Sequence, residues 1–273
     1  KDTPIWHSAW ESQKTNIIIL ILTLILLTYF MFNIEFLSKN NKRRKLFRYT
    51  FLVWILIWLG WYAGGQVTIV SIITLIMSPI TNPSWNTLLA DPLLIILILY
   101  ITASFFLWGR GLFCGWLCPF GSLQELISKV AQSFKVVQIK IPEKINKLSL
   151  YIKYMILSSL IVVSFFSSDM LNVGSEIEPF KTAISMKFQR EWFFVLYAFL
   201  IIILSVFIER FFCRFICPLG AFMAIGGKIR YFNFLKRRKE CGTPCKLCKK
   251  ECPINAIEKD GKINMTECFY CLD

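Results

Sequence analysis

The sequence predicts an all-α membrane protein, with about five transmembrane helices followed by a cysteine-rich C-terminal segment. Three observations predict this class. The 273-residue chain is 56% hydrophobic and only 18% charged, a composition outside the range of soluble domains. Several apolar stretches approach the 20 or so helical residues that cross the hydrocarbon core. Six of the ten cysteines fall within the last 33 residues.

Five apolar stretches are predicted as transmembrane helices. At a rise of about 1.5 Å per residue, each is long enough or nearly long enough to cross the bilayer core. They cover residues 16–37, 49–62, 92–108, 150–166 and 191–208. Residues 66–78 are apolar but too short to span, so we expect a kinked continuation of the second helix or a half-helix on the outer side.

The basic residues predict the orientation. Residues 39–48 carry six basic side chains and no acid, and residues 129–153 hold six lysines against one acid. Both patterns are typical of cytoplasmic loops in membrane proteins. We therefore attribute the formal net charge of +14 to topology and lipid contact, and we expect no nucleic-acid partner. The first helix then runs inward, and the C-terminal segment lies in the cytoplasm.

A helix at the inner membrane surface is predicted after the third span. Its apolar side chains share one helical face, and Gln124, Glu125 and Lys129 lie off that face, as in an interfacial helix. The apolar set is Leu123, Leu126, Ile127, Val130 and Phe134.

The pattern Phe-Cys-x3-Cys-Pro-x-Gly occurs twice, at residues 113–121 and 212–220. Both copies follow a span predicted to run inward, so the repeat is of parallel sense. Cysteines four residues apart on a helix share one face, with Cβ atoms about 5–6 Å apart. Three interpretations stay open: the cysteines bind a metal or a further cluster, cycle between dithiol and disulfide, or pack helix ends. The residues concerned are Cys114, Cys118, Cys213 and Cys217.

A basic residue precedes each copy of this repeat. Arg110 and Arg210 lie near the predicted membrane edge. They could steady an anionic cluster or a quinone oxygen, or extend toward lipid phosphates. We expect the extension toward phosphates.

Two cysteine runs dominate the C-terminal segment. The first is closed by a proline, which is typical of the cluster ligands of bacterial ferredoxins, whose fourth cysteine binds the neighbouring cluster. We therefore predict two 4Fe–4S clusters. A zinc ribbon is the alternative, and its spacing fits less well. One cluster is assigned to Cys241, Cys245 and Cys248, and the other to Cys252, Cys268 and Cys271.

The chain is interpreted as a fragment of a longer protein. Each predicted cluster has three cysteine ligands, so we expect the missing ligands beyond Asp273. The chain divides into a transmembrane helical module, residues 1–227, and a truncated ferredoxin-type segment, residues 228–273.

The two repeats and the ferredoxin run resemble the NosR/NapH group of polytopic membrane iron–sulfur proteins. The likeness covers roughly residues 64–273. Within the group, the sequences Cys-Gly-Trp-Leu-Cys-Pro-Phe-Gly-Ser-Leu-Gln-Glu-Leu from Cys114 and Cys-Phe-Tyr-Cys-Leu-Asp from Cys268 are most similar to the NosR branch.

The resemblance implies a multi-pass protein of the bacterial inner membrane. It would take electrons from quinol or a cytoplasmic donor and pass them toward a periplasmic reductase or its maturation proteins. In the NosR branch this reductase is nitrous oxide reductase, and FMN is expected only on a domain outside these residues. The alternatives are a NapH-like quinol dehydrogenase for periplasmic nitrate reductase, and a redox-sensing or assembly factor. We name no catalytic residue and expect an electron-transfer component rather than a stand-alone catalyst.

Overall fold

The chain is helical wherever the structure assigns extended regular elements. This computed structural model describes residues 5–33, 41–81, 91–139, 141–166, 173–229, 249, 252–258 and 263–271. Within those ranges, β-pairing is limited to an isolated antiparallel bridge between Ile257 and Ile263. The all-α prediction is therefore confirmed for the described part of the chain.

The helices pack as a bundle. The α-helices in the described ranges are α1 (Ile5–Ser12), α2 (Lys14–Phe32), α3 (Asn41–Trp54), α4 (Ile69–Thr81), α5 (Pro92–Trp108), α6 (Pro119–Ser133), α7 (Glu143–Phe166), α8 (Trp192–Phe207), α9 (Phe211–Phe215) and α10 (Pro218–Gly226). α6 lies against α3 and α8, α7 lies against α9 and α10, and α2 lies against α5. Wider π-type turns occur at Ile55–Tyr62, directly after α3, and at Phe113–Leu117 and Lys181–Ser185.

Two described helices are long and apolar enough to cross a membrane, at Lys14–Phe32 and Leu148–Phe166. Pro92–Trp108 and Trp192–Phe207 are apolar but shorter. The predicted second span is the end of a longer helix, since α3 already begins at Asn41 within the predicted basic loop. Lysine and arginine are good helix formers, which explains this early start. The count of five spans and their orientation stay predictions.

A break at Gly64 separates α3 from α4. Gly64 has a φ of 66°, a left-handed conformation that glycine adopts readily. α4 then has 13 residues, about 20 Å at 1.5 Å per residue, which is too short to span a bilayer. Of the two predicted alternatives, the structure therefore has a separate short helix and not a kinked continuation of the second span. The side of the membrane on which α4 lies stays a prediction.

α6 is the predicted amphipathic helix, and its polar face lies against protein. Gln124, Glu125 and Ser128 are buried, whereas Val130 and Phe134 are 57% and 80% exposed. Buried polar groups need partners in the protein, because they have lost those in water. The partners of Glu125 join the bundle together.

Glu125 links three parts of the chain. Its carboxylate accepts hydrogen bonds from Nε and Nη2 of Arg48 in α3, at 2.7 and 2.9 Å, and from Nε of Arg210 at 2.8 Å. Burial by itself would raise the pKa of Glu125, but the charges of Arg210 and Arg48 outweigh it and lower the pKa to about 2. Glu125 therefore stays ionised and connects α3, α6 and the residue before α9.

The C-terminal segment docks beside the end of α5. The carbonyl of Tyr270 accepts hydrogen bonds from Nη1 of Arg48 at 3.2 Å and from Nε1 of Trp116 at 3.1 Å. The Tyr270 hydroxyl donates to the carbonyl of Trp108. Tyr270 is 1% exposed, so this contact is part of the core of the bundle.

Two glycines make room for that contact. A Cβ atom at Gly111 would lie 2.6 Å from the ring of Tyr270, and one at Gly115 would lie 1.9 Å from the carbonyl oxygen of Phe269. The second distance involves backbone, which cannot move aside as a side-chain tip can. Only glycine therefore allows the C-terminal segment to approach position 115 so closely.

A buried ion pair holds the same segment to α7. Nζ of Lys153 lies 2.8 and 2.7 Å from the two carboxylate oxygens of Glu267, and the Lys153 side chain is fully buried. Lys153 is one of the six lysines from which a cytoplasmic segment is predicted, and its ammonium group is buried in an ion pair inside the protein. The side of the membrane on which this segment lies stays a prediction.

Replacing Glu125 by glutamine should destabilise the bundle. The shape is kept, but Arg48 and Arg210 are left buried with no acid between them. Removing one partner of a buried ion pair costs roughly 3–5 kcal/mol, so we expect a clearly lower thermal unfolding midpoint in detergent. Glu11→Gln, in an exposed pair with Lys14, is the control and should change nothing measurable. Equal midpoints for E125Q and the parent would contradict the role of Glu125.

The same pair of proteins should show a defined pH dependence. Because the pKa of Glu125 is lowered from 4.5 to about 2, its contribution is complete above about pH 4.5 and is lost as the pH falls through about 2. The stability difference between the parent and E125Q should therefore shrink toward pH 2 in chemical unfolding experiments. A difference that is constant from pH 7 to pH 2 would speak against the ionic origin.

Gly115→Ala should displace the C-terminal segment from its contact with residues 111–116. We expect faster hydrogen exchange in residues 263–271, with protection of α2 unchanged, measured by mass spectrometry. Gly64→Ala is the control: it strains a left-handed residue by about 1–2 kcal/mol but meets no atom within 4 Å. Parent-like protection of residues 263–271 in G115A would show that the close approach is not needed.

Candidate functional site

Each cysteine repeat forms an arm that turns the chain back into the bundle. The first arm, residues 109–121, leads from α5 into α6, and the second arm, residues 208–220, leads from α8 into α10. Each arm contains a residue with a positive φ angle near its start: 81° at Gly109 in the first arm and 56° at Arg210 in the second. The two arms therefore reverse direction at similar points.

The second cysteine of each arm caps a helix. Cys118 and Cys217 precede the proline that opens α6 or α10, a position where proline loses no helical hydrogen bond. The Sγ atom of Cys118 accepts the N–H of Gly121 at 3.4 Å, and that of Cys217 accepts the N–H of Gly220 at 3.2 Å. The prediction that both cysteines of a pair share one continuous helix is wrong, because the second cysteine is extended. Each of these sulfur atoms instead lies at the N-terminus of a helix, where it accepts a backbone N–H.

The four arm cysteines are neighbours. Electrostatic interactions link Cys213 to Cys118 and Cys114, and link Cys217 to Cys213 and Cys114. All four are free thiols. Among the residues that the structure describes, no three Cys, His, Asp or Glu side chains are arranged around a single metal ion. The arms thus bring the predicted thiols to one place without closing them on one ion.

Arginines tie the two arms to each other. Nη1 of Arg110 donates to the carbonyl of Gly220 at 3.3 Å, and Nη1 and Nη2 of Arg210 donate to the carbonyls of Cys114 and Gly115 at 2.5 and 3.1 Å. Both arginines are 1% exposed. The expectation that they extend toward lipid phosphates is therefore wrong. The turns expose carbonyl groups that need donors, and the arginines supply them.

Part of the predicted ferredoxin ligand set also comes together. Cys268 interacts electrostatically with Cys271 and Cys252. Its Sγ atom accepts the N–H of Tyr270 at 3.4 Å, and that of Cys252 accepts the N–H of Ala256 at 3.3 Å. Burial raises the pKa of Cys268 to about 12. The other predicted ligands, Cys241, Cys245 and Cys248, lie outside the described residues.

Phe269 and Arg110 connect the two groups of thiols. The guanidinium groups of Arg110 and Arg210 both lie over the ring of Phe269, 4.8 Å from its centroid. Arg110 interacts electrostatically with Cys114 of the first arm and with Cys268 of the C-terminal segment. The arm cysteines and the C-terminal cysteines are therefore adjacent sites, not separate ones.

Two further buried polar side chains adjoin the arm thiols. Nε2 of Gln66 lies 4.0 Å from Sγ of Cys118. Glu178 interacts electrostatically with Cys217 and accepts the N–H of Ile69 at 3.4 Å. Burial raises the pKa of Glu178 to about 8, so its carboxyl group is largely uncharged at neutral pH. Sequence reasoning missed both residues, since neither belongs to a recognisable motif.

Positive charge dominates the buried groups around these thiols. Among the described residues, five basic side chains are buried against three carboxylates, once the uncharged Glu178 is set aside. An unbalanced charge inside a protein costs several kcal/mol. A negatively charged group bound at the thiols would therefore be stabilised by the surrounding basic side chains. The basic set is Arg48, Arg110, Lys153, Arg210 and Arg214, and the acidic set is Glu125, Glu209 and Glu267.

The contact between the C-terminal segment and the first arm was not predicted, although the sequences of the two arms indicate it. When the arms are aligned on their cysteines, Gly111 and Gly115 of the first arm correspond to Arg210 and Arg214 of the second. Two glycines at matching positions in only one arm indicate that a backbone approaches that arm alone.

Comparisons with known proteins bear on both parts of the site. A family model described as a 4Fe-4S binding domain matches residues 90–138 and 191–240, which include both arms. A model described as NosR matches residues 239–273. A 4Fe-4S binding domain is therefore present in the part of the chain that contains the two arms. No solved structure matches the chain.

Whole-chain relatives extend the match. Regulatory protein NosR of Stutzerimonas stutzeri is 42% identical over 270 residues, which is 99% of this chain and 37% of that protein. Protein NirI of Paracoccus denitrificans is 38% identical, over 98% of this chain and 40% of its own length. An uncharacterized protein of Methanocaldococcus jannaschii is 29% identical, over 89% of this chain and 85% of its own length.

The chain thus spans about two fifths of the length of its NosR and NirI relatives. The aligned part covers nearly all of this chain, including both arms and the C-terminal cysteines. On this identity, together with the NosR match at residues 239–273, the chain belongs to the NosR-type regulatory protein family.

Proposed function

We propose that the protein is a membrane electron-transfer module that passes electrons through iron–sulfur centres toward a periplasmic reductase of denitrification, with nitrous oxide reductase as the first candidate. The observation that carries the proposal is the surplus of buried positive charge around the thiols. Four thiolates outweigh the charge of the iron–sulfide core that they hold, so a bound cluster is anionic. It supplies the sign of charge that the surrounding residues lack.

The donor set fits such centres. We assign one centre to the four arm cysteines, which are free thiols. Backbone N–H groups already point at the second thiol of each arm, and such hydrogen bonds to sulfur raise reduction potentials. When bound, the clusters accept and release single electrons. A second centre takes Cys252, Cys268 and Cys271, and a third takes Cys241, Cys245 and Cys248.

The order of the groups favours a path across the membrane. α6 begins at Pro119 against Gly60, near the outer end of the predicted second span, and its later turns reach Glu209, which follows α8, a helix predicted to run inward. In this arrangement α6 runs between the two sides of the membrane and replaces the predicted interfacial helix. In the predicted topology, the arm thiols then lie between the C-terminal segment on the inner side and Gln66 and Glu178 on the outer side. Electrons from a cytoplasmic donor would pass through them outward.

Removing an arm cysteine should remove one centre. We expect Cys114→Ala and Cys217→Ala each to lower iron and acid-labile sulfide by one cluster per protein. One paramagnetic resonance signal of the reduced protein should disappear, and those of the C-terminal segment should stay. Ser205→Ala removes a buried hydroxyl of α8 that donates to the carbonyl of Ile201 in the same helix and serves as the control. Zinc in place of iron, or full iron in both cysteine variants, would refute the proposal.

A regulatory role is the second candidate, because the NosR relatives are named regulatory proteins. Proteoliposomes separate the two. With ferricyanide enclosed and dithionite outside, the module should oxidise dithionite and reduce ferricyanide by one electron per ion, and Cys217→Ala should abolish most of that rate. If the variant and the parent reduce ferricyanide equally fast, the proposal of electron transfer through the arm cysteines is wrong, and the clusters have a regulatory or structural role.

A further inference from the structure

Arg110 is buried with donors that have no acceptor. Its Nη1 atom donates to the carbonyl of Gly220 at 3.3 Å, and its Nη2 atom faces Glu267 at 3.5 Å without hydrogen-bond geometry. In the described part of the chain, Nε and Nη2 make no hydrogen bond. Unsatisfied donors inside a protein are unfavourable, so these atoms point to an acceptor that belongs in the site.

Arg210 provides the contrast on the other arm. Its donors bond Glu125 and the carbonyls of Cys114 and Gly115. The charge of Arg210 is thus matched by a carboxylate at hydrogen-bond distance. Arg110 shares its one nearby acid, Glu267, with the closer ammonium group of Lys153, at 2.7 Å. Arg110 therefore keeps more of its positive charge uncompensated.

That charge faces both groups of thiols. Arg110 interacts electrostatically with Cys114 and Cys213 of the arms and with Cys268 of the C-terminal segment. Its guanidinium group also lies over Phe269, the residue that follows Cys268. A single cation therefore lies within reach of two of the proposed centres.

We infer that Arg110 is a positioning residue that raises the reduction potentials of both flanking iron–sulfur centres, the one in the arms and the one at Cys252, Cys268 and Cys271. The inference rests on the proposed function. The free N–H groups would donate to cluster or thiolate sulfur, and the positive charge stabilises the reduced, more negative state. Because the same cation faces both centres, their potentials rise together, and an electron can move between them without a large loss of driving force.

The test is a redox titration of the purified protein, followed by paramagnetic resonance. Signals are first assigned to the two centres with C114A and C268A. We expect Arg110→Gln to lower both potentials by at least a tenfold change in the reduction equilibrium, which is 59 mV for one electron. Arg110→Lys keeps the charge but loses the forked donors, so both potentials should fall by less. Arg190→Gln removes an arginine that pairs with Glu176 and should shift neither.

Each outcome decides a separate point. If the parent shows no cluster signals, the proposed function fails. If the signals are present and R110Q has the parent's potentials and iron content, only the role of Arg110 fails. A shift confined to one centre overturns the shared role. Should R110Q not fold, R110K decides: parent-like potentials in both of its centres overturn the inference, and a fall in both supports it.

Discussion

The burial of arginine and lysine charge is the constraint on which this structure depends. Cations inside a protein need carboxylates at close range, because they have lost their hydration. Glu125 serves Arg48 and Arg210, and Glu267 serves Lys153 and Arg110. Each acid thereby connects elements that are far apart in sequence: Glu125 joins α3 to the second arm, and Glu267 joins the C-terminal segment to α7 and the first arm. The two sharing acids leave a surplus of positive charge at the thiols, where anionic clusters would balance it.

The helical class followed from hydropathy, but the direction in which polar faces point did not. The periodicity of α6 separated Gln124 and Glu125 from the apolar face correctly, yet it could not tell which face lies inward. In water the polar face turns out, whereas beside lipid it can turn in. Counting basic residues likewise gave no indication that Lys153 is buried. A loop-composition rule counts charges, and it contains no information on an ion pair with a residue 114 positions away.

The cysteines of the site could be predicted from the sequence, whereas the polar residues around them could not. The repeat offered a shared metal or cluster site for its four cysteines as one of three interpretations, and the structure links these four thiols by electrostatic interactions. The four are Cys114, Cys118, Cys213 and Cys217. The capping role of Cys118 and Cys217 could have been read from the proline that follows each, since proline prefers the first turn of a helix. Gln66 and Glu178 could not be found this way. They reach the arms only through the packing of distant segments, and a single sequence carries no record of such contacts.

The glycines at positions 111 and 115 have a consequence for stoichiometry. Because the two arms have similar backbone paths, each could be expected to bind a ferredoxin-type segment. The second arm has arginine at both matching positions, and both side chains are buried. A residue with a Cβ atom at these positions does not allow the close backbone approach that Gly115 allows. The duplicated scaffold is thus polarised to admit one ferredoxin-type segment per module, on one flank only. A homologue with glycine at both places in each arm would be built to receive two.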